Sequence, residues 1–181
     1  MAALGGSVAR RYARAIFAIG EDNGLFELMG RQLNELASLW KGSADLRQTL
    51  ENPVFKVSQK KSVLQGLLPR VAPARQVQSL ALLLLERGRI ALLPAIAKSY
   101  EEMCDQKLGR VRAKVKSAHA LDIASETEIR KAIERRTGKK VLMTTEVDPT
   151  LIGGVVAEVA GLVLDGSVAS RLSSLKNRLI N

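Results

Sequence analysis

The chain has little of what metal and redox chemistry require. Its 181 residues include one histidine, His119, and one cysteine, Cys104. A disulfide takes two cysteines and a structural zinc site four ligands, so neither can be built from this pair. No phosphate-cradling loop is present: Gly138-Lys139-Lys140 lacks both the preceding glycine and the following hydroxyl. Gly153–Gly154 lies between an Asp-Pro turn and an apolar run, without the third glycine of a dinucleotide fingerprint, and reads as a bend or a close backbone approach. The longest uninterrupted apolar run, Leu80 to Leu85, is six residues, against about 20 for a bilayer span. A catalytic His119 would need a positioned partner, and Asp122 is the one nearby candidate, so His119 reads as an exposed or locally bonded side chain. Glu101, Glu102 and the acids of 126–134 sit among lysines and arginines at helical spacing, as solvated faces do. No active site and no cofactor are expected.

What the chain does have is positive charge. There are 28 Lys and Arg against 18 Asp and Glu, a formal charge of +10, on an ordinary globular background of 46% hydrophobic residues. An acidic partner is expected. The length fits one large domain or two small ones. Residues 1–20 carry Arg10, Arg11 and Arg14 with no acid, a pattern shared with mitochondrial presequences. The paired arginines also hint at a twin-arginine signal, which Arg14 spoils by interrupting the apolar stretch. The apolar phase instead runs on to Asn23–Gly24, a helix stop, so a first helix of the mature fold is expected.

Residues 8 to about 105 keep a helical period. Val8, Tyr12, Ala15, Ile16 and Ile19 share a face with Ala9 and Ala13 beside it. A second helix follows through Leu25 to Trp40, closed by Gly42, and a short third runs from Ala44 to Leu50. Ser58 is placed as the cap of a helix ending at Pro69 and Pro73. Residues 74–87 are apolar nearly all round, the mark of a helix buried at the centre of a bundle. In the last helix, about 91–107, Cys104 shares the apolar side with Tyr100 and Ile96 and reads as core.

After Gly109 the period changes to two. Arg110, Arg112, Lys114 and Lys116 alternate with Val111, Ala113 and Val115, as in a strand with one wet, basic side. Ser125 to Glu128 matches a capping box, opening a helix that turns Ile129, Ala132 and Ile133 inward and ends at Gly138. Strands are expected at 140–147 and 154–159, then a turn at Asp165–Gly166–Ser167 and a final helix with Val168, Leu172, Leu175 and Leu179 in a narrow stripe. The fold class is therefore α+β: a helical bundle of five or six helices over 1–107, then a small α/β domain over 108–181.

Three acidic partner classes fit the basic surface. A nucleic acid could lie along the 110–116 strand, although that strand has no aromatic on which bases would stack. An anionic membrane could meet the first helix, although Ala9 and Ala13 suit helix packing better than insertion. Acidic protein helices could take a groove beside the first helix, or the C-terminal leucine stripe, whose spacing fits both a coiled-coil seam and packing on its own sheet.

Three motifs in register carry a resemblance. They are Ala9-Arg-Arg-Tyr-Ala-Arg-Ala-Ile-Phe17, Leu82-Leu-Leu-Leu-Glu-Arg-Gly-Arg-Ile90 continuing to Tyr100, and Asp148-Pro-Thr-Leu-Ile-Gly-Gly154 followed by Asp165-Gly-Ser-Val168. With them the chain resembles, over nearly its whole length, the delta-subunit family of the rotary ATP synthase, called the oligomycin-sensitivity-conferring protein in mitochondria. It departs from the family's pattern at Arg87, Ala157 and Ala160–Gly161. The resemblance implies a six-helix bundle and a smaller α/β unit forming a non-catalytic stator part, which couples proton-driven rotation to ATP synthesis. Its implied partners are the alpha and beta subunits of the catalytic head and the b subunits of the peripheral stalk. It implies no specific nucleic acid and membrane association only through the complex. The short leader before Arg10 reads as bacterial, which places the expected location at the cytoplasmic face of the inner membrane. By matching segment, an N-terminal alpha helix would contact Tyr12, Ala13, Phe17, Val77 and Leu80, and the b stalk Leu172, Leu175 and Leu179. The alternative is a basic nucleic-acid-binding module using the 110–116 strand.

Overall fold

Seven α-helices and four strands make up the part of the chain that the computed structural model describes, residues 2–159, 161–166 and 170. The chain divides into two compact units, residues 1–104 and 105–181. In the first, α1 (Ala2–Asp22), α2 (Phe26–Gly42), α3 (Ala44–Glu51), α4 (Val57–Val71) and α5 (Arg75–Glu86) are followed by a 3₁₀ turn, Ile90–Leu92, and by α6 (Leu93–Lys107).

One apolar cluster holds this unit together. It draws Ala9, Ala13 and Ile16 from α1, Met29, Leu33 and Trp40 from α2, Val77, Leu80 and Leu84 from α5, and Leu93, Ile96 and Tyr100 from α6. Small residues set the closest approach. A Cβ on Gly20 would lie 2.7 Å from the Tyr100 hydroxyl and 3.0 Å from the Phe26 backbone, so α1 can meet the start of α2 only with glycine there. The Tyr100 hydroxyl donates to the Phe26 carbonyl at 3.0 Å, and burial pushes this phenol well above its ordinary range. Phe17 packs edge-on against both Phe26 and Tyr100, with centroids 5.9 and 5.5 Å apart. Cys104 is buried, in the same core.

Two helix limits differ from the sequence reading. Pro69 does not stop α4, which runs on to Val71 and ends on Ala72 in the left-handed region (φ +42°). A proline so near the C-terminus costs one main-chain bond in a turn that is already short of them. Ser58 is not the cap either: Lys56 is the N-cap residue, and its N–H donates to Gln59 Oε1 at 3.0 Å. The α4–α5 turn is pinned by Gln32, a buried side chain that accepts from the Ala74 N–H at 2.9 Å.

The second unit is a four-stranded sheet of order β2-β1-β3-β4 with one helix. Its elements are β1 (Arg110–Ser117), α7 (Ile123–Thr137), β2 (Lys140–Val147), β3 (Val155–Val159) and β4 (Leu162–Asp165). β1 and β2 are parallel, with Val111 opposite Val141, and parallel neighbours need a crossover, which α7 supplies. β3 runs antiparallel to both β1 and β4. Ala113, Val115, Val141, Ala157 and Val159 pack with Ile133 of α7, while Ala132 is exposed and not inward as expected. The N-cap of α7 is Asp122 rather than Ser125; its carboxylate accepts from the Ser125 N–H at 2.8 Å. The Ser125 hydroxyl, and after it this N–H, hold the Asp122 carboxyl below its ordinary value. β4 has no counterpart among the expected strands. The expected final helix, with Val168, Leu172, Leu175 and Leu179, lies outside the described residues.

Candidate interaction surfaces

α1 carries apolar residues over a wide arc, and the bundle uses that arc twice. Ala9, Ala13 and Ile16 face the core. Tyr12, Ala15 and Ile19, at i, i+3 and i+7 spacing, stand opposite Gln76, Ser79 and Leu83 of α5, which share that spacing. Between the two rows runs a groove of about 480 Å³. Ile16 and Leu80, 4% and 8% exposed, make its floor, and Ile19 and Leu83, 44% and 39% exposed, make its rims. Arg75 closes one part of the wall. A smaller cleft of about 320 Å³ shares Tyr12 and Ala15 and adds Val8, Arg11 and Arg89. There the Tyr12 hydroxyl accepts from Arg89 Nη1 at 3.0 Å. The pattern, an apolar trough with basic residues at its margins, suits the apolar stripe of an amphipathic helix.

Of the five bundle residues expected to form a partner site, the structure brings two to the groove, Tyr12 and Leu80. Ala13 and Val77 are fully buried and face the core, and Phe17 is engaged with Phe26 and Tyr100. The physical reason is helix pairing. An alanine is where two helices approach most closely, so Ala13 is covered by the bundle itself. Ala15, Ile16, Ile19, Gln76, Ser79 and Leu83 line the groove, though none of them was among the expected partner contacts. The signal for them was the matched spacing on α1 and α5. Leu83 also corrects the reading of α5 as a wholly buried helix, since its exposed side is the groove. Leu172, Leu175 and Leu179 lie outside the described residues.

The basic strand is not a bare cationic face. Arg112 Nε is 2.6 Å from Asp105 Oδ2, and Arg110 Nε is 3.6 Å from Oδ1 of the same carboxylate. Lys114 Nζ is 2.7 Å from Glu146, and Lys116 Nζ is 3.6 Å from Asp148. The bond to Lys114 holds the Glu146 carboxyl below its ordinary range, and the same bond raises Lys114. Asp148 is lowered chiefly by the Thr150 hydroxyl. Glu158 stands opposite Lys114 on β3. Every base of the stripe has an acid against it, which leaves little field for a phosphate backbone.

His119 is exposed, and its carbonyl accepts from Ser117 Oγ at 2.6 Å. Asp122, its nearest candidate partner, is engaged in capping α7. Among the described residues no group of three His, Cys, Asp or Glu is placed to hold a metal ion, and no helix is long and apolar enough to cross a membrane.

The family model described as "ATP synthase delta (OSCP) subunit" matches residues 8–179. The chain belongs to this family. Similar proteins include "ATP synthase subunit delta" of Anaeromyxobacter dehalogenans (strain 2CP-1 / ATCC BAA-258), 40% identical over 97% of this chain and 98% of that one. The protein of that name from Desulfatibacillum aliphaticivorans is 37% identical over 95% and 94%. The fold is shared with a chain in a cryo-EM structure of the Toxoplasma gondii mitochondrial ATP synthase hexamer, at a TM-score of 0.74 and 24% identity, covering 96% of this chain and 97% of that one. As a delta-family subunit, the chain is a non-catalytic part of the ATP synthase and a stator component of its peripheral stalk. It serves ATP synthesis and proton transport as part of that complex.

Proposed function

We propose that the bundle grips the catalytic head, taking an N-terminal helix of an alpha subunit into the α1–α5 groove, while the unit of residues 105–181 holds the b subunits through the stripe of Leu172, Leu175 and Leu179. The groove carries the reading: an apolar floor with Ile19 and Leu83 left 44% and 39% exposed is the surface an amphipathic helix needs. A stator works by resisting torque, so the head stays still while the rotor turns. Two separate attachments on one chain supply that resistance without any chemistry. The bacterial relatives and the family support a place at the cytoplasmic face of the inner membrane, bound there through the complex.

The test uses the full chain with two baits, the catalytic head freed of this subunit and the soluble part of the b stalk. Leu83→Asp puts a charge on the rim of the groove and should weaken head binding by about 30-fold or more, the scale of an interface hot spot. Its melting temperature should hardly move, because Leu83 is already partly in water. Replacing Leu172, Leu175 and Leu179 together by Asp should release the stalk and spare the head. Head binding untouched by Leu83→Asp would remove the groove from the reading.

A further inference from the structure

We propose that the cleft between α1 and α6 is a second docking site on the bundle, for an acidic peptide segment of the catalytic head. The proposal rests on the head-binding reading above. The cleft has a volume of about 550 Å³, with Arg10 and Arg14 on its α1 wall and Lys98 and Ser99 on its α6 wall. Arg10 and Arg14 are four apart, stacked on one helix face, where like charges repel. Among the described residues no carboxylate lies within ion-pair range of Arg10, Arg11, Arg14 or Lys98, and that includes Glu102 on the cleft's own wall. The basic strand of the other unit, by contrast, has each of its charges matched. Four cations around one trough, against the single carboxylate of Glu102, leave a positive potential that an anionic group relieves.

Its position selects the occupant. Arg11 lines this cleft and also the small cleft that shares Tyr12 and Ala15 with the apolar groove. Helix α1 is thus the common wall of an apolar trough and a basic one, and a chain leaving the first crosses a single helix to enter the second. A lipid surface fits less well. The cleft is concave and its apolar lining is Ala95 and Gly6, with no large side chain to insert into acyl chains. Extended carboxylate side chains on a peptide reach into such a trough, and paired with arginine they form the stronger class of hydrogen bond.

The experiment measures association of the full chain with the catalytic head freed of it, by stopped flow at about 20 mM and about 300 mM salt, across which the screening length shortens several-fold. The variant is Arg10→Gln, Arg14→Gln and Lys98→Gln together. Its control, Lys60→Gln, Lys131→Gln and Lys139→Gln, removes the same net charge elsewhere. The cleft variant should associate about tenfold more slowly at low salt and lose most of its salt dependence, as loss of charged interface groups does. The control should stay within about twofold, and both should melt with the parent. An equal slowing by the control would mean that net charge alone steers the encounter, and the proposal would fall. So would unchanged association of the cleft variant. If that variant instead lost binding to phosphatidylglycerol vesicles with head association intact, the cleft would be a membrane contact and not a peptide site. Leu83→Asp, run alongside, separates the two readings. Head binding lost there but intact in the cleft variant overturns the cleft alone, and indifference of both overturns the head-binding bundle as well.

Discussion

Residues 1–104 and 105–181 each hold 14 basic and 9 acidic side chains, a net of +5 apiece, yet they treat that charge in opposite ways. In the sheet the bases of β1 meet Asp105, Glu146, Asp148 and Glu158, brought to them by α6, β2, the turn after it and β3. In the bundle Arg10, Arg14 and Lys98 gather around one trough with a single acid, Glu102, on its lining, and among the described residues none of the three makes an ion pair. The lesson is that a count of charges along the chain does not measure the charge on offer. The most regular basic run in the sequence is spoken for, and the looser one on α1 is available to a partner.

The largest effect that would test this contrast concerns the far side of α1. Arg10 and Arg14 are held in place because Ala9 and Ala13 are locked into the core. Ala13→Arg would force a cation into a fully buried, close-packed site and should destabilise the bundle by about 3 kcal/mol or more. Chemical denaturation followed by far-ultraviolet circular dichroism reads this directly. A variant that keeps its midpoint and loses only head affinity would show that Ala13 faces outward.

A smaller effect compares the two basic surfaces on equal terms. Arg10→Gln with Arg14→Gln, and Lys114→Gln with Lys116→Gln, each remove two charges. The first pair should elute from heparin at clearly lower salt than the second, since only the first removes charge that is not already opposed. Reversed order would restore the strand as the working surface.

The smallest effect lies in acid. Glu146 is held below its ordinary 4.5 by its bond to Lys114, and Asp148 below 3.8 by Thr150. A carboxyl lowered by folding adds stability above its unfolded value and loses it as pH falls through the folded one. The contribution of these exposed pairs should therefore be complete at neutral pH and disappear below about pH 4, with a small amplitude. Titration of the Glu146 side chain by nuclear magnetic resonance should give a value under 4.5 that climbs toward it in high salt. A value already above 4.5 would mean the pair with Lys114 does not form.

Much of the architecture was legible from period and punctuation. The switch from helical to alternating pattern after Gly109 coincides with the start of β1 at Arg110, and β2 spans the expected 140–147. Local rules failed where tertiary contact decides between equals. Ser125 and Asp122 are both competent caps, and the helix begins at the earlier one. β4 is a short strand whose existence depends on pairing with β3, which no local signal gives. On α1 the apolar arc is wide enough to face two ways. Its inner and outer halves are told apart only once α5 and α6 are beside it, which is why Ala13 lies in the core and Ile19 on the groove rim.

The aromatic residues have a practical consequence. All six, including Trp40 in the bundle core, lie in the first unit. Intrinsic fluorescence and near-ultraviolet dichroism therefore report on the bundle and are blind to the sheet. A single sigmoid in Trp emission would leave open a second transition in the half of the chain that carries no chromophore, and a tryptophan placed in β2 would make that half visible.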